Sequence, residues 1–239
     1  HAFPHTPTIR FEGIATHAKD RIQWAHDLYH SQPVHIDREQ IFGFYNTLVS
    51  YGQTPWLALN EKDEPVGYLM AKPDSQTLNE QFALTPKLLS DMVCAWFLKS
   101  QIKSLTIILQ PWESENCQLL SRYGESCEIT PAYSFRIINW VRVIQATLEL
   151  KTTLVEMPDG KLTVEIEQYG TLSIVVTQNR PCCSLTAKQA DLKLDHLLAT
   201  QFFFGPLPPY ALLHLPAQIA AFAQAVFPLP LSIYPYDRI

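Results

Sequence analysis

The sequence predicts an α+β protein with two domains, and two patterns carry this prediction. In residues 16–140, segments with helical spacing of apolar side chains alternate with short apolar runs, which is typical of a mixed α/β domain. In residues 141–239, short segments alternate apolar and polar side chains as antiparallel strands do, and helices follow them. Residues 1–15 begin with the Pro-punctuated stretch HAFPHTPT and are expected to be a linker.

The first domain is expected to begin with two helices and a hairpin. Thr16 is placed to cap the first helix, and Asp37 to cap a second helix over residues 38–51. A charged turn at residues 61–64 separates two apolar runs, which predicts the hairpin. The predicted strands of this domain are 56–59, 66–71, 78–84, 105–109 and 134–143.

Two further helices are expected in this domain. Thr85 and Pro86 predict the start of the longer one, because threonine is a favoured N-cap and proline is favoured at the first helical position. The shorter helix is expected over residues 113–122.

The second domain is expected to contain a helix at residues 146–151, four strands, two more helices and an extended tail. Asp195 is placed to cap a helix that Gly205 closes, and the last helix ends at Pro228. The predicted strands are 162–168, 171–178, 182–187 and 190–195.

Glycine is scarce in this chain, and its distribution excludes one class of site. There are eight glycines in 239 residues, whereas soluble proteins average roughly 7% glycine. No two of them have the spacing of GxG, GxGxxG or GxxxxGK. Loops that hold a phosphate with closely spaced glycines are therefore not expected.

Charge and cysteine content limit the function classes further. The formal net charge is −5, so no basic stripe for nucleic acid is expected. Charged residues break every apolar run before the roughly 18 residues that a membrane span needs. Five cysteines without C-x-x-C spacing indicate a reduced, cytoplasmic protein. The chain begins with His1 and shows no signal-peptide pattern, so we expect it to be part of a longer chain.

Several segments resemble bacterial GNAT acetyltransferases of the enhanced-intracellular-survival (Eis) type. The stretch WLALNEKDEPVGYLMAK is similar to the GNAT hairpin, whose second strand commonly carries VGY. The segments that resemble the sterol-carrier-like (SCP2-like) domain closing that family are INWVRVIQATLEL, DGKLTVEI, GTLSIVVTQ, ADLKLDHLLATQFFFG and AQIAAFAQAVFPLPLSIYPYDRI. The resemblance implies a degenerate second GNAT domain over residues 16–140 and an SCP2-like α+β domain over residues 141–239.

The resemblance implies acetyl transfer from acetyl-CoA to a primary amine by a longer chain, and it is compatible with a homo-oligomer. In that family, acetyl-CoA is held by a first GNAT domain, through R/QxxGxG/A after a strand and a helix N-terminus. Here the matching stretch ALTPKLLSDMVCAW has no glycine. We therefore expect residues 16–140 to be a scaffold that binds no cofactor, and the native reading frame to supply the motif upstream of His1.

The resemblance makes the α-carboxylate of Ile239 the candidate catalytic group. In that family the last residue reaches the catalytic cavity and its carboxylate acts as general base toward the amine. Its pKa is ordinarily about 3.3–3.7, so burial would have to raise it. Prolines stiffen the tail PLSIYPYDRI, and Tyr234 and Tyr236 are expected to anchor it and to contact substrate.

A non-enzymatic alternative stays open, in which the SCP2-like domain binds an apolar ligand or a protein partner. Phe203 and Phe204 are candidates to line such a pocket or the acceptor cavity. A core role is favoured for these aromatic side chains, because a domain of this size needs such burial.

No metal site is expected. His26 and His30 have i, i+4 spacing, but the HExxH motif is absent and a surface position is favoured. Asp191, Asp195 and His196 are close in sequence, and a strand end followed by a helix cap accounts for them.

Overall fold

Short strands and helices make up both halves of the chain, of which the computed structural model describes residues 7–38, 46, 52–129 and 136–237. The first half contains β1 (Arg10–Gly13), α1 (Lys19–His30), β2 (Thr54–Leu59), β3 (Pro65–Ala71), β4 (Thr77–Leu78), β5 (Gln81–Ala83), α2 (Pro86–Ser100), β6 (Thr106–Ile107) and α3 (Ser114–Leu120). The second half contains α4 (Trp140–Thr152), β7 (Gly160–Ile166), β8 (Gly170–Thr177), β9 (Arg180–Leu185), β10 (Leu192–Leu194), α5 (His196–Phe204), α6 (Pro209–Leu212), α7 (Ala217–Val226) and a 3-10 turn at Pro235–Asp237. The helix predicted over residues 38–51 lies almost wholly outside the described residues.

The predicted hairpin is confirmed as β2 and β3, which pair antiparallel. The Asn60 side-chain oxygen accepts hydrogen bonds from the backbone N–H groups of Lys62 and Glu64, so it closes the turn from within. Within the segment predicted as a linker, Arg10–Gly13 forms β1 and pairs antiparallel with β2. The resulting sheet has the order β1-β2-β3-β5.

The strand predicted at residues 78–84 is divided between two sheets. Before the division, β4 pairs parallel with β6, with Leu78 opposite Ile107. After it, β5 pairs antiparallel with β3, with Phe82 opposite Tyr68. The two residues between β4 and β5, Asn79 and Glu80, therefore lie where the chain leaves one sheet for the other.

The predicted start of the long helix is confirmed. Thr85 is extended, and its hydroxyl oxygen accepts a hydrogen bond from the backbone N–H of Leu88. Helix α2 packs on the sheet through a core of buried apolar side chains. That core consists of Ala58, Val66, Leu69, Ala71, Leu78, Leu89, Met92, Val93, Trp96 and Leu120.

The strand predicted at residues 134–143 is wrong over its described part: residues 136–139 form no strand, and helix α4 begins at Trp140. The Asn139 side chain caps this helix by accepting a hydrogen bond from the backbone N–H of Arg142. Its buried residues, Trp140, Ile144, Thr147 and Leu148, have the spacing of one helical face. A short apolar run fits a buried helix as well as a buried strand, which explains the error.

All four strands predicted in the second half are confirmed, in the order β10-β7-β8-β9. The last of them, β10, pairs parallel with β7, while the other neighbours are antiparallel. The side-chain amide of Gln145 on α4 meets the edge strand β9. It accepts a hydrogen bond from the N–H of Cys183 and donates one to the carbonyl of Pro181.

Aromatic side chains of helix α5 and of the residue that follows α7 fill the core over this second sheet. Phe202, Phe203 and Phe227 lie with their ring centroids 5.2 Å apart in each pairing. At the C-terminal end of α7, the Lys151 ammonium donates hydrogen bonds to the carbonyls of Val226 and Pro228. Its ammonium group is partly buried, and this burial lowers its pKa.

The contacts of the chain divide it into two units. The first comprises His1–Cys127 together with the C-terminal segment Ile233–Ile239, and the second comprises Glu128–Ser232. The C-terminal segment therefore groups with the first unit, whereas the sequence-based division assigned it to a domain at residues 141–239. None of the described helices has the length and hydropathy that crossing a membrane requires.

Candidate functional site

The tail segment Ile233–Asp237 supplies two tyrosines that are buried within the first unit. Tyr234 is 3% exposed and Tyr236 is 5% exposed. The tail was predicted to be ordered by these two residues, and both are anchored. Ile239, the candidate general base, lies outside the described residues, so its role stays a prediction.

Tyr234 packs among three aromatic residues from separate parts of the first unit. Its ring centroid lies 5.0 Å from that of Phe82 on β5, 5.9 Å from that of Trp112 after β6, and 6.1 Å from that of Tyr29 on α1. The rings of Phe82 and Trp112 are nearly perpendicular to it, which is a favourable edge-to-face arrangement.

Tyr236 is held by a polar contact. Its hydroxyl accepts a hydrogen bond of 3.2 Å from the side-chain amide of Asn79, at the division between β4 and β5. We call the four residues Tyr29, Asn79, Phe82 and Trp112 the tail socket. None of them was singled out from the sequence, because they are isolated side chains in four different segments.

A buried ion pair lies next to the tail socket. The Arg38 guanidinium donates two hydrogen bonds, of 3.1 and 2.9 Å, to the two carboxylate oxygens of Glu80, and the Tyr68 hydroxyl donates a third of 2.8 Å. The guanidinium carbon also lies 3.9 Å from the centre of the Tyr29 ring. Burial, followed by the charge of Glu80, raises the pKa of Tyr68.

Glu113 is a second buried carboxylate in this region. It accepts hydrogen bonds from the backbone N–H of Gln110 and from the side-chain amide of Asn116. Burial raises its pKa, and these two hydrogen bonds oppose the rise. The sequence suggested only an acidic residue at a helix start, which gives no indication of burial.

The Tyr234 hydroxyl is buried without a hydrogen bond to any described atom, as is the indole nitrogen of Trp112. Burial raises the pKa of Tyr234, and the charge of Glu113 adds to the rise. The indole N–H lies close enough to oppose this shift, but it does not reach hydrogen-bond geometry. The described contacts of Tyr234 are therefore those of its ring.

The start of α2, which is where the GNAT resemblance would put a pyrophosphate, is occupied by contacts within the chain. Pro86 has no N–H to offer, and the N–H of Leu88 is taken by Thr85. The Lys87 ammonium lies 2.6 Å from the carboxylate of Asp91. The first turn thus leaves few donors for an anion, besides having no glycine.

Phe203 and Phe204 lie together in the second unit, whereas the two tail tyrosines belong to the first. Phe203 is fully buried, and its ring centroid lies 5.9 Å from that of Trp140. Phe204 is half-buried, with its ring stacked on Trp140 at 6.4 Å. The structure therefore brings the four predicted contact residues together in two pairs, one in each unit.

The predicted helix cap at Asp195 is confirmed, since its carboxylate accepts a hydrogen bond of 2.7 Å from the N–H of Leu198. Asp191 accepts hydrogen bonds from the N–H and hydroxyl of Thr163. The surface position expected for His26 and His30 is wrong: both are half-buried, and their rings stack with centroids 4.1 Å apart. Among the described residues, no three His, Cys, Asp or Glu side chains are arranged to hold a metal ion.

Two solved structures have folds similar to that of this chain. One is a conserved protein of unknown function from Enterococcus faecalis V583, described as a probable N-acyltransferase, with a TM-score of 0.58 and 17% identity over 97% of this chain and 63% of that one. The other is a GCN5-related N-acetyltransferase from Anabaena variabilis ATCC 29413, with a TM-score of 0.56 and 15% identity over 93% of this chain and 61% of that one. The chain is mixed α/β with GNAT-like fold neighbours.

This likeness concerns the fold, and the sequences are far apart. No protein-family model matches the chain, and no curated protein matches it in sequence. The chain spans about three fifths of the length of each of the two solved structures. The GNAT part of the resemblance is thus supported at the level of fold, while its Eis-type and SCP2-like parts stay predictions.

Proposed function

We propose that this chain is part of a GNAT-type N-acyltransferase that moves an acetyl group from acetyl-CoA to a primary amine. The chain contributes a scaffold, a wall of the amine cavity and the C-terminal carboxylate. The observation that supports this most is the anchoring of the tail: Tyr234 and Tyr236 are buried in a unit with GNAT-like fold neighbours. An ordered tail restricts where the terminal carboxylate can go, which a general base requires.

In this proposal the first unit is a scaffold that does not bind CoA. Its α2 is capped by Thr85, begins with Pro86 and has Lys87 paired with Asp91. Acetyl-CoA is therefore held by residues other than these 239, through the glycine-containing loop that GNAT domains use. That part also supplies the proton that the departing CoA thiolate takes up.

The chemical step assigned to this chain is removal of one proton. The amine nitrogen attacks the thioester carbonyl carbon, the bond from that carbon to sulfur breaks, and the Ile239 carboxylate takes the proton that the nitrogen loses. A carboxylate is a weak base at its ordinary pKa of about 3.3–3.7, so the proposal requires a cavity that excludes water and raises this value.

The second unit enters the proposal as the SCP2-like domain. Phe204 is the member of the predicted pair that a ligand can reach, because its side chain is only half-buried. Phe203 supports it from the core. Dense packing of Phe202, Phe203 and Phe227 favours a structural role for this unit over the non-enzymatic alternative of an apolar carrier.

The test is amine-dependent release of the CoA thiol by the protein made from its whole native reading frame. A panel of primary amines is supplied with acetyl-CoA, and the matched control amines are their N,N-dimethyl derivatives, which cannot form a stable amide. We expect thiol release and an acetylated product with primary amines alone. Release that does not depend on the amine, or none with any primary amine, would contradict the proposal.

A further inference from the structure

The four residues of the tail socket all belong to elements of the first unit other than the tail. Tyr29 lies on α1, Asn79 between β4 and β5, Phe82 on β5 and Trp112 after β6. None of the described sheets takes a strand from residues 233–237. The socket therefore receives side chains, and no strand, from a segment far along the sequence.

We propose that the tail socket is a peptide-binding site specific for the sequence Tyr-Pro-Tyr at residues 234–236, and that it also takes this segment when supplied as a separate peptide. The first tyrosine is the anchor, since its ring meets Phe82, Trp112 and Tyr29. The hydroxyl of the second tyrosine accepts a hydrogen bond from the Asn79 amide. The proposal does not depend on acyl transfer.

The chemistry of the segment suits it to this role. Pro235 fixes its own φ, so little backbone freedom is lost when the two flanking tyrosines bind. Buried aromatic anchors account for most of the affinity in such sites, and tyrosine loses few rotamers for the area that it buries. A phenylalanine in place of Tyr236 would fill the same space but could not accept the hydrogen bond from Asn79.

Tethering sets a limit on the affinity. A tail joined to its own socket experiences an effective concentration on the order of millimolar. Because the tail is seated in the intact chain, the free segment must bind with a Kd below about 1 mM. A second copy of the chain presents the same segment, so tail exchange between copies at high concentration follows from the same contacts.

The experiment uses the chain truncated after Ser232 and a fluorescently labelled peptide of residues 230–239, with anisotropy as the readout. We expect saturable binding with a Kd below about 1 mM, at least tenfold weakening by Tyr234→Ala in the peptide, and a smaller loss by Tyr236→Phe. In the Asn79→Ala socket variant, the loss caused by Tyr236→Phe in the peptide should be smaller than in the native socket. No saturation, or equal binding of the Tyr234→Ala peptide, would overturn the proposal.

A second measurement covers the case in which the truncated chain does not fold. The full chain receives a protease site between Leu231 and Ser232 and is cut after folding. We expect the cut tail to remain bound at high protein concentration and to be displaced by the labelled peptide, but not by its Tyr234→Ala form. Immediate loss of the tail, or failure of the native peptide to exchange on prolonged incubation, would overturn the proposal. Tyr210→Ala, at an exposed tyrosine of the second unit, is the control that should leave exchange unchanged.

Discussion

The side-chain amide of Asn79 donates a hydrogen bond to the hydroxyl of Tyr236, and 157 positions of sequence separate the two residues. Asn79 lies where the chain passes from β4 to β5, and Tyr236 lies in the 3-10 turn of the tail. This contact, with the aromatic packing of Tyr234, ties the C-terminal segment to the first unit. The tail is thus part of the folded unit, and its anchoring can be measured as stability.

Tyr234 should stabilise the first unit through its ring and not through its hydroxyl. We expect Tyr234→Ala to lower the free energy of unfolding by about 3–5 kcal/mol, as other large-to-small aromatic changes in cores do. Tyr234→Phe should cost less than about 1 kcal/mol, because the hydroxyl has no hydrogen-bond partner among the described residues. Denaturant titration checks both values, with Tyr210→Ala as the exposed control. A larger cost for Tyr234→Phe would reveal a partner for the hydroxyl.

The ion pair of Arg38 and Glu80 should be much more sensitive to the loss of one partner than a surface pair. Glu80→Ala should cost about 3–5 kcal/mol, because it leaves a buried guanidinium without its carboxylate. Arg10→Ala, which breaks the exposed pair with Asp63, should cost under about 1 kcal/mol. The double change Arg38→Met with Glu80→Leu should recover part of the loss. Equal costs for the buried and exposed pairs in denaturant titration would contradict this account.

Gly67 on β3 should not tolerate a side chain. A Cβ at this position would lie 2.6 Å from the carbonyl oxygen of Phe82 and 2.9 Å from the sulfur of Met92. We expect Gly67→Ala to cost about 1–3 kcal/mol or more, because the clash with Phe82 is with backbone. At Gly13 the nearest atom would be 3.9 Å away, so Gly13→Ala should change the free energy of unfolding by less than about 1 kcal/mol. Thermal unfolding of the two variants makes the comparison.

Acidification should destabilise the first unit through His30. Burial, followed by the nearby His26 and His35, lowers the pKa of His30 below its ordinary 6.5, with Asp37 opposing and Arg38 adding to the shift. The unfolded chain therefore takes up the proton first, and stability is full above about pH 6.5 and falls as the pH drops below it.

His30→Phe should flatten this dependence, whereas His17→Asn, at an exposed position, should leave it as it is. The free energy of unfolding measured between about pH 5 and 8 tests both variants. A slope that survives in His30→Phe would place the responsible group elsewhere.

The purified chain should not bind acetyl-CoA. In calorimetry we expect no saturable heat at acetyl-CoA concentrations up to about 1 mM. A Kd of about 1 mM would correspond to a binding free energy of only about 4 kcal/mol in magnitude. The physical reason is the closed start of α2, with its Thr85 cap, its proline and its Lys87–Asp91 pair. Binding at micromolar concentration would show that the first unit holds the cofactor itself.

Local chemistry could be predicted from the sequence at several helix ends. Thr85 with Pro86, Asp195 as a cap and Gly205 as a helix end all follow from capping preferences, and the structure confirms them. The predicted cap at Thr16 is wrong, because Ala18 is the N-cap of α1 and this helix has no side-chain cap hydrogen bond. The hairpin follows from a charged turn between two apolar runs, and the strands of the second sheet follow from alternation. Helix α4 was misassigned at its start because a short apolar run does not distinguish the two periods.

The tail socket could not be predicted, because its members share no local pattern. Tyr29 reads as one apolar position of a helix, and Asn79 and Phe82 read as residues of one predicted strand at residues 78–84. The structure divides that strand between two sheets, which the sequence pattern does not indicate. Glu80 lies in the predicted strand and Glu113 at a predicted helix start, and neither pattern indicates a buried carboxylate. Their burial became visible only with the packing around them. The tail itself was predictable, since its prolines and tyrosines indicated an ordered end.

The measurement that tests the proposed mechanism most directly is the turnover of the native-length protein after one glycine is added to Ile239. The extension converts the carboxylate of Ile239 into a peptide amide and places the terminal carboxylate one residue further along the chain. Ile239→Leu keeps the carboxylate in place and is the matched control. We expect the extension to reduce turnover by at least about 100-fold, the usual contribution of a positioned base, and Ile239→Leu to keep most of the activity. An extended protein that turns over at the unmodified rate would remove the terminal carboxylate from the mechanism.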